Sequence, residues 1–437
     1  MVGKRALLGL EMEAFLLDTN GHIVNKSDLL MRESLKKGAA PFIYEVSNSM
    51  IEVGSRPHGS VRGLTKNFFS NLIKIIETAE KFDIYLYPFG TYPGKSKPEI
   101  RKKAWYRAQA QALGNKFMET ACRISGFHFH FNTPKGIVDK RSGEIFGRER
   151  RGREIYLNQF NFLVAADPAI ATFMQSSPYY EGRLLGKDAR ILAYRDLEKE
   201  RGSPIDGMYK GLSQLGGLPP YATSISDLKE MSESRKEMLL ALLKKKGAKI
   251  PAEVRDRSPL TFQWGPLRTN KIGTLEQRGM DMNTPLNLIG VSSILKRILG
   301  EIFLGNLKVR VEEFAMKTPF KIEGDRIYIP PYSYVRNKLQ YKSALDGFES
   351  PEIHAYCKAL YNAATKLDSD DAYLLSTMKE MLALRKSKSD EIIDAAGGMK
   401  LIPPERQGEL ALKMSSNFHE ETELAQRLLE TDFETLQ

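Results

Sequence analysis

Three short stretches of this chain set ionisable side chains two residues apart. Glu11 and Glu13 lie in "GLEMEA", His128 and His130 in "GFHFHF", and Glu276 and Arg278 in "TLEQRG". Residues two apart on a β-strand share a face, so each stretch presents an ionisable side and a side of another kind. Leu10, Met12 and Ala14 oppose the glutamates, and Phe127, Phe129 and Phe131 oppose the histidines. Glu45 and Glu52, in "YEVSNSMIEVG", add two more carboxylates. They have opposite parity on one continuous strand and converge only if Ser47 to Ser49 turns or bulges.

Carboxylates gathered on one face repel one another unless cations sit between them. An oxygen-rich set with one or two imidazoles suits Mg²⁺ or Mn²⁺, whereas structural zinc asks for cysteine or more histidine. Such ions also hold phosphates, and an arginine beside a metal-binding glutamate offers a fork to phosphate or carboxylate oxygens. The combination points to phosphoryl transfer. Taken singly, each stretch has a plainer reading: an isolated ExE is a solvated strand face, and an isolated HxH is a buried pair with backbone partners. Their joint occurrence in a chain with 6 histidines favours a shared site.

The elements that must position these residues can be read from periodicity. Residues 6–17 alternate as a strand, followed by a turn at Asp18 to Gly21 and a short strand at His22 to Val24. Residues 42–53 read as strand, turn and strand, 60–82 as a helix, 83–90 as a strand, and 104–124 as a helix up to Gly114 or beyond. Helices are expected at 153–175 and at 226–246, the latter capped by Ser226; residues 202–220 form a long ordered loop, and 273–281 a strand. Helices dominate from 286 apart from a hairpin at 320–330. With neither GxGxxG nor a regular βαβ alternation, the fold class is α+β with a mainly antiparallel sheet.

The chain has 437 residues, 42% of them hydrophobic, and a formal charge of +11 from 65 Lys and Arg against 54 Asp and Glu. The basic balance makes anionic partners plausible, but the clusters at Lys95 to Lys103, Arg148 to Arg153 and Lys244 to Lys249 lack the spacing of a nucleic-acid module, so nucleic acid is disfavoured. No long apolar run or signal peptide is read, which places the chain in the cytoplasm without a membrane partner. An assembly of several copies stays open. Cys122 and Cys357 have no CxxC spacing and read as buried fillers.

"GLEMEAFLLD", "GFHFHF", "SSPYYEGRLLG" (176–186) and "GTLEQRGMD" (273–281) resemble, in order and spacing, the bacterial and archaeal carboxylate–amine ligases of the glutamate–cysteine ligase type 2 group over residues 5–300. The resemblance implies a glutamine synthetase-like catalytic domain with a concave antiparallel sheet, ATP and Mg²⁺ or Mn²⁺ as cofactors, and small-molecule carboxylate and amine substrates. It makes Glu11, Glu13, Glu45, Glu52, His128 and Glu276 metal ligands, sets His130 near the nucleotide, and gives Arg278 the transferring phosphate. Glu52, Arg278 and Arg195 are candidate catalytic residues; Arg183, Arg190, Arg195 and Arg268 are candidates for phosphate or substrate carboxylate, and Trp105 or Tyr106 for adenine. The ligase-like domain is expected over 1–340, with a mainly helical region at 341–437. Met12 stands where the group often has an acid, and Gln277 where it usually has a hydrophobic residue. A phosphotransferase of related fold, a hydrolytic metalloenzyme and a non-catalytic basic nucleic-acid-binding protein remain as alternatives.

Overall fold

The alternation in the first stretch becomes the central strand β1, Leu8–Leu17, of a seven-stranded sheet. Its partners are β2 (Phe42–Ile43), β3 (Met50–Gly54), β4 (Tyr85–Tyr87), β5 (Gly126–Asn132), β6 (Leu267–Asn270) and β7 (Thr274–Asp281). The order is β6-β7-β5-β1-β3-β2, with β4 also pairing with β1, and every pair is antiparallel. The expected α+β class is observed. The structure, a computed structural model, describes residues 6–195, 197, 205–367 and 372–430.

One face of the sheet is apolar because its side-chain period is two. Leu8, Leu10, Met12, Ala14, Phe127, Phe129, Phe131, Ile51 and Val53 all enter one hydrophobic core. Helix Val61–Glu80 supplies Leu64, Phe68, Phe69, Leu72 and Ile75 to that core at helical spacing. Helices Arg150–Phe173 and Pro285–Leu304 supply the remainder of the cover, and the Phe131 ring meets Phe303 edge-on at 6.0 Å. Helices Pro351–Leu367 and Phe418–Glu430 add Tyr356, Leu360, Phe418 and Leu429 to the same core. Among the described residues, no helix is long and apolar enough to cross a membrane.

Several boundaries differ from the sequence reading, each for a local reason. The expected helix at 104–124 breaks at Gly114, whose φ of 97° lies outside helical space, giving Ala104–Leu113 and Asn115–Ala121. Helix Ile225–Lys245 starts earlier than Ser226: Ser224 accepts from Asp227 N, and Asp227 returns the bond to the Ser224 backbone. Residues 202–204 of the expected loop lie outside the described residues, and the remainder contains a helical turn, Ser213–Gly216. The 320–330 hairpin is present as Ile322–Glu323 and Arg326–Ile329.

A buried polar knot stands on the helical side of β7. Asp167 accepts from Arg195 Nη1 at 2.5 Å and Nη2 at 3.0 Å, from Gln277 Nε2 at 3.3 Å, and from Gln340 Nε2 at 3.2 Å. Gln277 is polar because it faces Asp167. The register shifts between Gln277 and Met280, a bulge that returns Met280 to the core opposite Phe127.

At the end of β7, Asp281 accepts from Ser176 N at 2.9 Å, and burial, opposed by Arg190 and Ser177, pushes its carboxyl up to about 6 from an ordinary 3.8. The folded chain therefore keeps a proton that the unfolded chain releases, and stability falls as pH rises from about 4 to about 6. In Asp281→Asn this loss disappears. Wild-type stability relative to the variant is expected to drop by up to about 3 kcal/mol across that window and then level off, as read from urea unfolding at a series of pH values.

Candidate active site

Antiparallel register brings the ionisable positions into rows across the uncovered face of the sheet. Glu11 stands opposite His128, Glu276 opposite His130, Arg268 opposite Glu276, and Glu13 opposite Glu52. Directly opposed residues share a face, so five strands, β1, β3, β5, β6 and β7, contribute to one cluster. The Ser47 to Ser49 segment turns as the convergence of Glu45 and Glu52 requires: Ser49 N donates to Ser47 Oγ at 3.1 Å. Both carboxylates line a cavity of about 290 Å³ with Glu13, His128, Arg268 and Arg278.

His128 is the hub. Its Nδ1 lies 3.1 Å from Glu11 Oε2, 3.5 Å from Glu52 Oε1 and 3.8 Å from Glu276 Oε1, while its Nε2 lies 3.3 Å from Glu13 Oε1. His130 Nε2 approaches Glu11 Oε1 at 3.3 Å, and its Nδ1 shares a 3.0 Å hydrogen bond with Thr274 Oγ1. Both Nε2 atoms are buried and, although close to carboxylates, are not aligned to hydrogen-bond with them. Glu276 is completely buried. It accepts from Arg268 Nε at 2.6 Å, Asn270 Nδ2 at 2.7 Å and Arg278 Nη1 at 3.3 Å.

The acids are held in two states of charge. Burial alone would raise Glu276, but Arg268, His130 and Arg278 hold it at about 2. Burial is likewise overridden at Glu11 by His128 and His130, and at Glu13 by His128, Arg190 and Arg278, so both stay below the ordinary carboxylate range. On the other flank, burial and mutual repulsion dominate: Glu45 is raised by burial and Glu13, and Glu52 well above normal by burial and Glu45. His128 is lowered by burial and Arg278 but raised further by Glu13 and Glu11, and ends well above an ordinary imidazole.

A family model described as glutamate-cysteine ligase family 2 matches residues 7–318. The chain belongs to this family. A curated relative, "Putative glutamate--cysteine ligase 2" of Chromobacterium violaceum, is 23% identical over 179 residues, 40% of this chain; the match spans 42% of that relative. Among solved structures, a glutamate–cysteine ligase from Francisella tularensis in complex with AMP shares the fold at a TM-score of 0.61 and 12% identity, covering 98% of this chain and 92% of that one. A bifunctional glutathione synthetase from Pasteurella multocida gives 0.52 and 10%, covering 94% and 52%.

In this glutamate–cysteine ligase family 2 chain, Glu11, Glu13, Glu45, Glu52, His128, His130, Glu276 and Arg278 are brought together. Two subsets have donor atoms close enough to one another for one ion each: Glu11, His128 and Glu276, and Glu13, Glu52 and His128. The donor set fits a hard divalent cation. Arg190 and Arg268 join the cavity wall, as do Trp105 and Tyr106. Trp105 also packs on Phe262 at 5.3 Å, and the Arg257 guanidinium lies 4.5 Å from its ring centre. Arg195 is not brought in, being bound to Asp167 on the helical side, and Arg183 lies in a different cavity. Both cysteines are buried, and burial pushes the Cys122 thiol up to about 12.

Sequence reading missed Asn270 and Thr274, which hold Glu276 and His130. The available signal was parity: Arg268 and Asn270 alternate before a turn at Gly273 and pair back onto β7.

Gly126 opens β5, where a Cβ would lie 2.6 Å from Arg190 Nη2 and 3.3 Å from His128 Nε2. Gly126→Ala is expected to cost about 1–3 kcal/mol of stability through this clash. In the background of Arg190→Ala the cost should shrink to under about 1 kcal/mol, a coupling that a double-mutant cycle of unfolding curves measures.

Proposed function

We propose that the chain is an ATP-dependent carboxylate–amine ligase that activates its acid as an acyl phosphate. The reading is carried by one observation: four carboxylates from β1, β3 and β7 lie within 4 Å of His128, with Glu45 in the same cavity and three arginines beside them, a set that neutralises itself only in part. Family membership supports the same class of reaction.

Glu11, Glu13, Glu45, Glu52, His128 and Glu276 would hold Mg²⁺ or Mn²⁺. When bound, such ions neutralise the acids and the ATP phosphates and polarise the group being transferred. The chain's own part is to position and to balance charge. Arg278, fixed against Glu276, offers a guanidinium to the transferring phosphoryl group, and Arg190 and Arg268 supply further positive charge to the cavity wall. His130, with Nδ1 held by Thr274, keeps Nε2 toward Glu11 and the nucleotide side. A carboxylate oxygen of the acid attacks the γ-phosphorus, and the bond to ADP breaks. The amine nitrogen then attacks the acyl carbon, phosphate leaves, and the amine's proton passes to solvent. Glutamate and cysteine, named for the relatives, are the first acid and amine to try.

An ADP-release assay across amino-acid pairs with Mg²⁺ or Mn²⁺ tests this. Turnover should require both an acid and an amine, and Glu11→Ala and His128→Ala should each lower it by roughly 100-fold or more while remaining folded. Unchanged turnover in both variants would overturn the site. ADP release that ignores the amine would instead mark a phosphotransferase that stops at the phosphorylated acid.

A further inference from the structure

Arg183 lines a second cavity, of about 890 Å³. The short helix Asn115–Ala121 stands between the two cavities: Phe117 and Ala121 face the active site, whereas Lys116, Glu119 and Thr120 face the second. The far wall is a hairpin of Tyr179–Tyr180 and Arg183–Leu184, joined by Glu181 and Gly182. Both joining residues have positive φ, 50° and 86°. Turns of this hand favour Asn or Gly at the first position, and a glutamate there is strained. Arg123 holds it in place, its guanidinium 3.5 Å from Glu181 Oε1 and 3.4 Å from Glu119 Oε2. The hairpin is also fixed from outside: Ile402 N donates to Gly182 O at 2.8 Å, and Leu184 N to Lys400 O at 2.9 Å.

Among the described residues, the lining carries four cations, Lys95, Lys116, Arg123 and Arg183, against three carboxylates, Glu119, Glu181 and Asp206. Arg123 serves Glu119 and Glu181, and Asp206 pairs with Lys210 at 3.1 Å. Lys95, Lys116 and Arg183 complete the basic lining, and among the described residues none of the three has an ion-pair partner. Three cations with no ion-pair partner among the described residues, gathered in one concave space of ligand-binding size, favour an anion with several charged oxygens. We propose that this cavity binds a small polyanion, no larger than a nucleotide and carrying two or more phosphate or carboxylate groups, between Lys95, Lys116 and Arg183. Arg183 can grip two oxygens at once, while the lysines act as point charges.

Titration calorimetry tests the site without reliance on ligase activity. The full chain in EDTA at about 0.15 M salt, where non-specific attraction is screened, is titrated with inorganic pyrophosphate and, separately, with citrate. One saturable site is expected for at least one of the two anions, and which of them binds distinguishes a phosphate-bearing from a carboxylate-bearing ligand. Lys116→Ala with Arg183→Ala should weaken it by roughly 10-fold or more, with an unchanged melting temperature because both side chains are exposed. Arg278→Ala should leave it intact. Failure of both anions to bind the wild type, wild-type affinity in the double variant, or loss of binding in Arg278→Ala would each overturn the proposal.

Discussion

Like charge confined on one face of a sheet is the constraint from which the remainder of the molecule follows. Two carboxylates about 4 Å apart repel by about 4 kcal/mol at an effective dielectric near 20, and here four are drawn around a single imidazole, with a fifth, Glu45, in the same cavity. Only a rigid support can hold them there. The support is the opposite face, where leucines, phenylalanines and three long helices fix strand register. A slip of one residue would turn Glu11 and Glu13 into the core and Met12 toward the acids, so the hydrophobic packing that stabilises the fold also sets the chemistry.

Compensation across that face is uneven. At the β6 and β7 edge, Glu276 is surrounded by two arginines and an asparagine; toward β3, Glu45 and Glu52 accept from no arginine or asparagine among the described residues, and burial favours their neutral forms. The face is thus polarised, cationic at one side and acidic at the other, with His128 between. A gradient of this kind would draw a phosphate group and a cation in opposite directions across the face.

Much of this was legible because strand parity is a local property. The pairs Glu11 and Glu13, His128 and His130, and Glu276 and Arg278 each reveal a shared face within three residues, and the turn needed to unite Glu45 with Glu52 follows from their spacing. What was not legible depends on contacts between distant residues. Arg195 has the composition of a ligand-binding arginine, and only tertiary packing shows that it neutralises Asp167. Asn270 earns its place by lying opposite β7, a pairing that the short strand Leu267–Asn270 does not announce. Gln277 is an oddity in sequence until its donor reaches the same aspartate.

The knot around Asp167 also has a meaning for biosynthesis. Its donors arrive 28, 110 and 173 residues later in the chain. Synthesis from the N-terminus makes the carboxylate before any of these partners, and Gln340 is the last of them to be made. Dry packing of helix Arg150–Phe173 against β7 therefore comes late in assembly. Glu276, the last of the proposed metal ligands in chain order, precedes Gln340 by 64 residues, so the knot behind the acidic face closes only after every proposed ligand has been made.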